Sequence, residues 1–146
     1  MIKKAFSFTL VTLQFLCILL LLFTSKIKNL HLVSFVLMII GIIIGLWAIY
    51  VMRNSILTIM PDLITGSSMI IFGPYRFVRH PMYLAVLIFC LALAITHFDL
   101  PRAGIFFLLL ITLLVKIEYE EKQLITGFKG YHTYMQKTRK LLPCIY

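Results

Sequence analysis

The run LHLVSFVLMIIGIIIGLWAIYVM, Leu30 to Met52, holds 23 residues without a Lys, Arg, Asp or Glu, and about 20 apolar residues suffice for a helix to cross the hydrocarbon core of a bilayer. It reads as a membrane span. Inside it Gly41 and Gly45 stand four residues apart. That spacing either lets a second helix approach closely or reflects the tolerance of lipid-embedded helices for glycine.

Working outward from this run, Ala5 to Ser25 gives a second stretch of 21 residues with Gln14 as its one strongly polar member. Lys3 and Lys4 before it imitate the start of a signal peptide. The run is nevertheless long for a cleavable core, and Phe23-Thr24-Ser25 lacks a small-x-small cleavage site, so a retained anchor is expected. On the other side, Met82 to Phe98 follows Pro81 and ends in a polar turn marked by His97, Asp99 and Pro101. Only 13 residues, Ala103 to Val115, separate Arg102 from Lys116. As a helix they would cover roughly 20 Å of a hydrocarbon core roughly 30 Å thick, so Arg102 and Lys116 are expected to snorkel toward opposite head groups.

Composition agrees with the runs. Over 146 residues the chain is 62% hydrophobic and 13% charged, with a mean hydropathy of +1.03, which excludes an ordinary soluble domain. The net charge of +9, from 14 Lys and Arg against 5 Asp and Glu, does not point to nucleic acid, because the charges fall between apolar runs instead of on a polar face. Their expected partner is the membrane surface. Cys17, Cys90 and Cys144 are odd in number and suggest neither a disulfide framework nor a metal site. With the N-terminus in the cytoplasm, 11 basic residues lie on that side and only Lys26, Lys28 and Arg102 on the other. The positive-inside rule therefore predicts an all-α polytopic bundle of four transmembrane helices, about 5–25, 30–52, 82–98 and 101–117, forming a single domain, 1–146. Both termini and a C-terminal helical segment are expected to be cytoplasmic, with a prokaryotic inner membrane as the default location.

Two segments on that face carry chemistry. Gly73-Pro74-Tyr75-Arg76-Phe77-Val78-Arg79-His80-Pro81-Met82-Tyr83 combines turn residues with a helix start at Pro81. It sets Arg79 and His80 at a helix entrance, where free N–H groups and the dipole favour an anion. The plainer alternative is that Arg76, Arg79 and His80 hold lipid phosphates, with Tyr75 and Tyr83 as belt aromatics. Lys116-Ile117-Glu118-Tyr119-Glu120-Glu121 contains three of the chain's five acids. If the helix continues to Phe128, Ile117, Leu124 and Phe128 form one apolar stripe, with Glu121 inside it and Glu120 beside it. Glu118 and Lys122 then form an exposed i, i+4 pair. Lys116 and Glu120 share the same spacing, either as a weak salt bridge or as a substrate-facing cation beside a cofactor-facing carboxylate. His31, His80, His97 and His132 are scattered, so no metal is expected. No phosphate-binding loop, dinucleotide fingerprint or nucleophile elbow occurs.

Gly73-Pro74-Tyr75, Arg79-His80-Pro81-Met82-Tyr83, Glu120-Glu121 and the tail residues Phe128, Tyr131, Tyr134 and Pro143 resemble the C-terminal signature of integral-membrane methyltransferases. These are the isoprenylcysteine carboxyl methyltransferase and phospholipid methyltransferase relatives, and the resemblance covers Ser67 to Pro143. It implies S-adenosylmethionine (SAM) as cofactor, bound at the cytoplasmic side by segments 67–84 and 116–143, and a lipophilic acceptor arriving from the bilayer. Carried over by position, it assigns Ser67, Ser68, Met69, Ile70, Tyr75, His80, Pro81, Met82, Tyr83 and Glu120, with Glu121 beside it, to the cofactor. Lys116 stands where relatives carry an acceptor-binding Arg, and Lys116 and Arg79 are the expected acceptor-orienting, catalytic cations. Ala85 replaces a frequent Gly, and Gly127-Phe128-Lys129-Gly130 is offset from the usual run by about one residue. The Arg-His-Pro-x-Tyr turn and the Pro143-Cys144-Ile145-Tyr146 end are also similar to membrane sterol reductases, which use a nicotinamide cofactor. A reductase of that kind, or a non-catalytic lipid-binding protein, is the alternative.

Overall fold

The computed structural model describes residues 2–25, 31–53, 70–128 and 130–142. In order these form α1 (Ile2–Thr24), α2 (Leu32–Met52), a 3₁₀ turn (Gly73–Arg76), α3 (Pro81–Ile95), α4 (Leu100–Gly127) and α5 (Tyr131–Lys137). There is no strand among the described residues; a lone bridge joins Val78 to Arg139. Three helices, from Ala5–Thr24, Leu32–Met52 and Leu100–Gly127, are long and apolar enough to cross a membrane, and α3 is a shorter apolar helix of 15 residues. Large apolar side chains such as Phe8, Leu32, Ile43 and Leu46 face outward, as lipid-embedded helices require.

The helices meet through small or apolar faces. α2 and α3 approach so closely that a Cβ on Gly41 would stand 3.0 Å from Ala85 O and 3.0 Å from Phe89 N. A Cβ on Gly45 would lie 3.5 Å from that of Ala85. The glycine pair therefore serves helix approach within the chain. α1 packs against α4 and α3 around Cys17, Leu21, Cys90, Leu93, Leu109 and Leu113. The rings of Phe6 and Tyr119 touch at 5.5 Å, and Val51 near the end of α2 packs against Tyr75 ahead of α3. Thus the start of α1, the end of α2, the start of α3 and the far end of α4 share one end of the bundle.

α4 continues past Lys116 to Gly127, 28 residues in all and about 42 Å of helix, as the reading of Glu120 and Glu121 on one helix supposed, so the helix that is short is α3 and not the last one. The cations expected to flank the last span do not snorkel. Arg102 is 3% exposed and folds back onto the α3–α4 turn, donating to His97 O at 3.1 Å and Thr96 Oγ1 at 3.3 Å, with Asp99 Oδ2 3.6 Å from its Nε. Asp99 also caps α4 by accepting from Arg102 N at 2.9 Å. Lys116 is 2% exposed and donates to Gln14 Oε1 of α1 at 2.9 Å. An inward partner wins in each case because a hydrogen bond inside the bundle satisfies the charge without stretching the side chain to water.

The α2–α3 contact yields a direct test. Gly41→Ala should destabilise the protein by about 1–3 kcal/mol through overpacking, whereas Gly104→Ala, with nothing within 4 Å of its Cβ, should not. Thermal midpoints in detergent check this; equal midpoints for the two variants would contradict the close approach.

Candidate active site

At the shared end the chain before α3 is set by local sterics. Gly73 has φ +64, and a Cβ there would come 2.7 Å from Val51 Cγ2, so no other residue fits comfortably. Pro74 is the second residue of the 3₁₀ turn and Pro81 the first of α3, each at a position where the missing N–H costs nothing. Tyr75 is thereby buried, its hydroxyl 3.2 Å from Met52 Sδ, and Tyr134 donates to Tyr75 O at 2.5 Å. Burial pushes the Tyr75 and Tyr131 hydroxyls upward in pKa and Tyr134 up to about 12.

The tail after α5 lies along residues 77–80. Arg79 N donates to Arg139 O at 2.7 Å, His80 N to Lys140 O at 3.1 Å, and Arg139 N to Phe77 O at 3.2 Å. The expected anion site at this helix entrance is therefore closed by the tail's own carbonyls. Arg79 is likewise engaged: Nε donates to Glu121 Oε1 at 2.6 Å, and one terminal nitrogen reaches Thr138 O at 2.6 Å and Met135 O at 3.3 Å. With both members of the ion pair buried, Arg79 acts as a clamp on the tail. Arg79, His80 and Tyr75 face inward, which also sets aside lipid-phosphate and belt roles for them. Glu118, expected beside Lys122, is met by Lys140 of the tail, which lies 3.7 Å from Glu121 Oε2 as well.

Glu120 has a different environment from its neighbour. Tyr83 donates its hydroxyl to Glu120 Oε1, and His80 Nδ1 is 3.5 Å from Oε2. The His80 and Tyr83 rings stack, 5.6 Å apart and 6° from parallel. His80 Nε2 stands 3.5 Å from Glu121 Oε1 and is buried without a hydrogen-bond partner. Among the described residues Glu120 makes no ion pair with Lys116 within 4.0 Å; Lys116 turns to Gln14 and lies 5.0 Å from the centre of the Tyr83 ring. Because Tyr119 is level with Phe6 at the start of α1, Glu120 and Glu121 sit at the rim of the bundle, past the apolar part of α4. Burial raises the Glu120 pKa. Burial also presses Glu121 upward, but His80 and Arg79 outweigh it and hold that carboxyl at about 2. Adjacent carboxylates are thus pushed apart.

Of the residues assigned by resemblance, the structure brings His80, Pro81, Tyr83, Glu120 and Glu121 together at this rim. Ile70, Tyr75 and Met82 cluster next to them against α2. Ser67, Ser68 and Met69 lie outside the described residues. Gln14, Thr138 and Lys140 were not singled out by sequence; only Gln14, a lone amide in an apolar run, carried a signal.

The phospholipid methyltransferase family profile matches residues 29–130, most of the chain. The chain belongs to the phospholipid methyltransferase family. Comparison with curated proteins finds no match. Family and apolar helices together make it an integral membrane protein with methyltransferase activity, and the reductase alternative falls away. The matched span includes the rim cluster and leaves α1 and the clamping tail outside.

The clamp predicts an acid limit. A carboxylate held below its ordinary value of 4.5 contributes stability that is full above that value and is lost as pH falls from there through about 2. A fluorophore on Gln136→Cys, with Cys144 replaced by Ser, should show high anisotropy down to about pH 4.5 and a fall toward pH 2. Arg79→Ala should leave it low even at neutral pH, since breaking a buried pair costs about 3–5 kcal/mol. Unchanged anisotropy in Arg79→Ala would contradict the clamp.

Proposed function

We propose that this methyltransferase binds SAM at the rim formed by residues 67–84 and the end of α4, and methylates a lipophilic acceptor that enters from the bilayer. The observation that carries this reading is Glu120, a largely buried carboxylate aligned by Tyr83 and His80 and left unpaired by any Lys or Arg within 4.0 Å among the described residues. Such an acceptor fits an ammonium or a pair of ribose hydroxyls. His80 Nε2, buried and 3.5 Å from Glu121 Oε1, would add a further polar contact. The donor set therefore suits the cationic and hydroxyl parts of SAM, while the strip Ser67 to Met69 would contact it from the preceding loop.

When bound, SAM supplies a methyl group already activated as a sulfonium. The protein's own tasks are then to orient, to exclude water and to admit the acceptor. Glu120 would hold the cofactor's polar groups, with Tyr83 and His80 fixing the direction of its two oxygens. Tyr75, Met82 and Ile70 would form the apolar wall, and the tail, drawn in by Arg79 and Glu121, would cover the rim. Lys116 uses one of its three donors on Gln14 and faces the bundle interior, where it would meet an anionic part of the acceptor. No covalent intermediate is needed. Four spans with this rim in the cytoplasm follow from the 11 to 3 distribution of basic residues, α3 crossing as the shortest.

Membrane vesicles of opposite sidedness test donor and face together. SAM should bind inside-out vesicles and not right-side-out ones. His80→Ala and Glu120→Ala should each weaken binding by about 1–3 kcal/mol, the cost of leaving a ligand polar group unmatched. Binding unaffected by both substitutions would place the cofactor elsewhere.

A further inference from the structure

Lys116 and Glu120 are one helical turn apart on α4, a spacing at which Lys and Glu ordinarily pair. They do not. Lys116 instead donates to Gln14 Oε1 at 2.9 Å, and both side chains are buried, 2% and 7% exposed. Gln14 sits nine residues into the apolar stretch that begins at Ala5, about 14 Å along the helix axis. The ammonium is drawn down into the bundle, beneath the Tyr83 ring at 5.0 Å. Where water is scarce, an ammonium without this amide would turn to the strongest acceptor in reach, and one turn away that is Glu120.

We infer that Gln14 is a positioning residue: by holding Lys116 inward it keeps the Lys116 ammonium off Glu120 and leaves that carboxylate able to receive the polar groups of the cofactor. The inference rests on the proposed cofactor role of Glu120 and assigns a task to α1, which the family match at residues 29–130 does not include. Mere helix-to-helix adhesion through the same hydrogen bond would affect stability, and would do so whatever happens at Glu120. The positioning role acts only through Lys116.

The test is a thermodynamic cycle read by calorimetry, with SAM titrated into purified protein in detergent. Gln14→Met keeps the length of the side chain without its acceptor and should weaken SAM binding about tenfold, the order of one charge-assisted hydrogen bond lost to the ligand. Gln14→Glu still offers Lys116 an acceptor on α1 and should bind SAM as the unaltered protein does. In a Lys116→Met background, adding Gln14→Met should change nothing. Unaltered affinity in Gln14→Met, or an equal loss with and without Lys116, would overturn the inference while leaving the cofactor site standing. Absence of SAM binding by the unaltered protein would instead sink the proposed function and this inference with it.

Discussion

A guanidinium buried at the edge of a bilayer must have its donors matched, because water cannot do it and the uncompensated charge would be costly. Arg79 meets this constraint with Glu121 and the carbonyls of Thr138 and Met135. Those bonds connect three parts of the chain that are distant in sequence: the entrance to α3, the end of α4 and the segment after α5. With Arg79 satisfied by Glu121, the neighbouring Glu120 is not needed for charge balance. The adjacent acids thus differ in their partners, Glu121 paired with Arg79 and Glu120 met by Tyr83 and His80, and burial raises the pKa of Glu120 while His80 and Arg79 hold that of Glu121 at about 2.

The same logic of inward satisfaction runs through the bundle. Arg102 returns to the carbonyl of His97 and the hydroxyl of Thr96, and Lys116 crosses to Gln14. Tight backbone approach at Gly41 lets α3, only 15 residues long, remain held against the longer α2. Short helix and close contact together bring Tyr83 under the end of α4, where its hydroxyl reaches Glu120.

Much of this was legible in the sequence and some was not, for identifiable reasons. The apolar runs announced the helices, and Pro81 marked the start of α3. The 3.6-residue period put Glu121 inside the apolar stripe and Glu120 beside it, as found. The last span was expected to be the short one because its apolar count ends at Lys116, whereas α4 runs on through its charged residues and α3 is the shorter helix. Snorkelling was the expected fate of Arg102 and Lys116 because their inward acceptors, a carbonyl in a turn and an amide on α1, leave no spacing signal. Beside the Arg79 side chain, the tail's hold on residues 77–80 is made by main-chain bonds, which any sequence can form. The anion site expected at the α3 entrance therefore could not be seen to be closed.

The central claim is that cofactor binding is organised around Glu120 and covered by the clamped tail. Hydrogen–deuterium exchange of the detergent-solubilised protein, with and without SAM, addresses it most directly. The account predicts added protection at residues 77–83, 118–128 and 131–141 and little change at the opposite end around the α3–α4 turn. Protection confined to that opposite end, or none at the rim under saturating SAM, would contradict it.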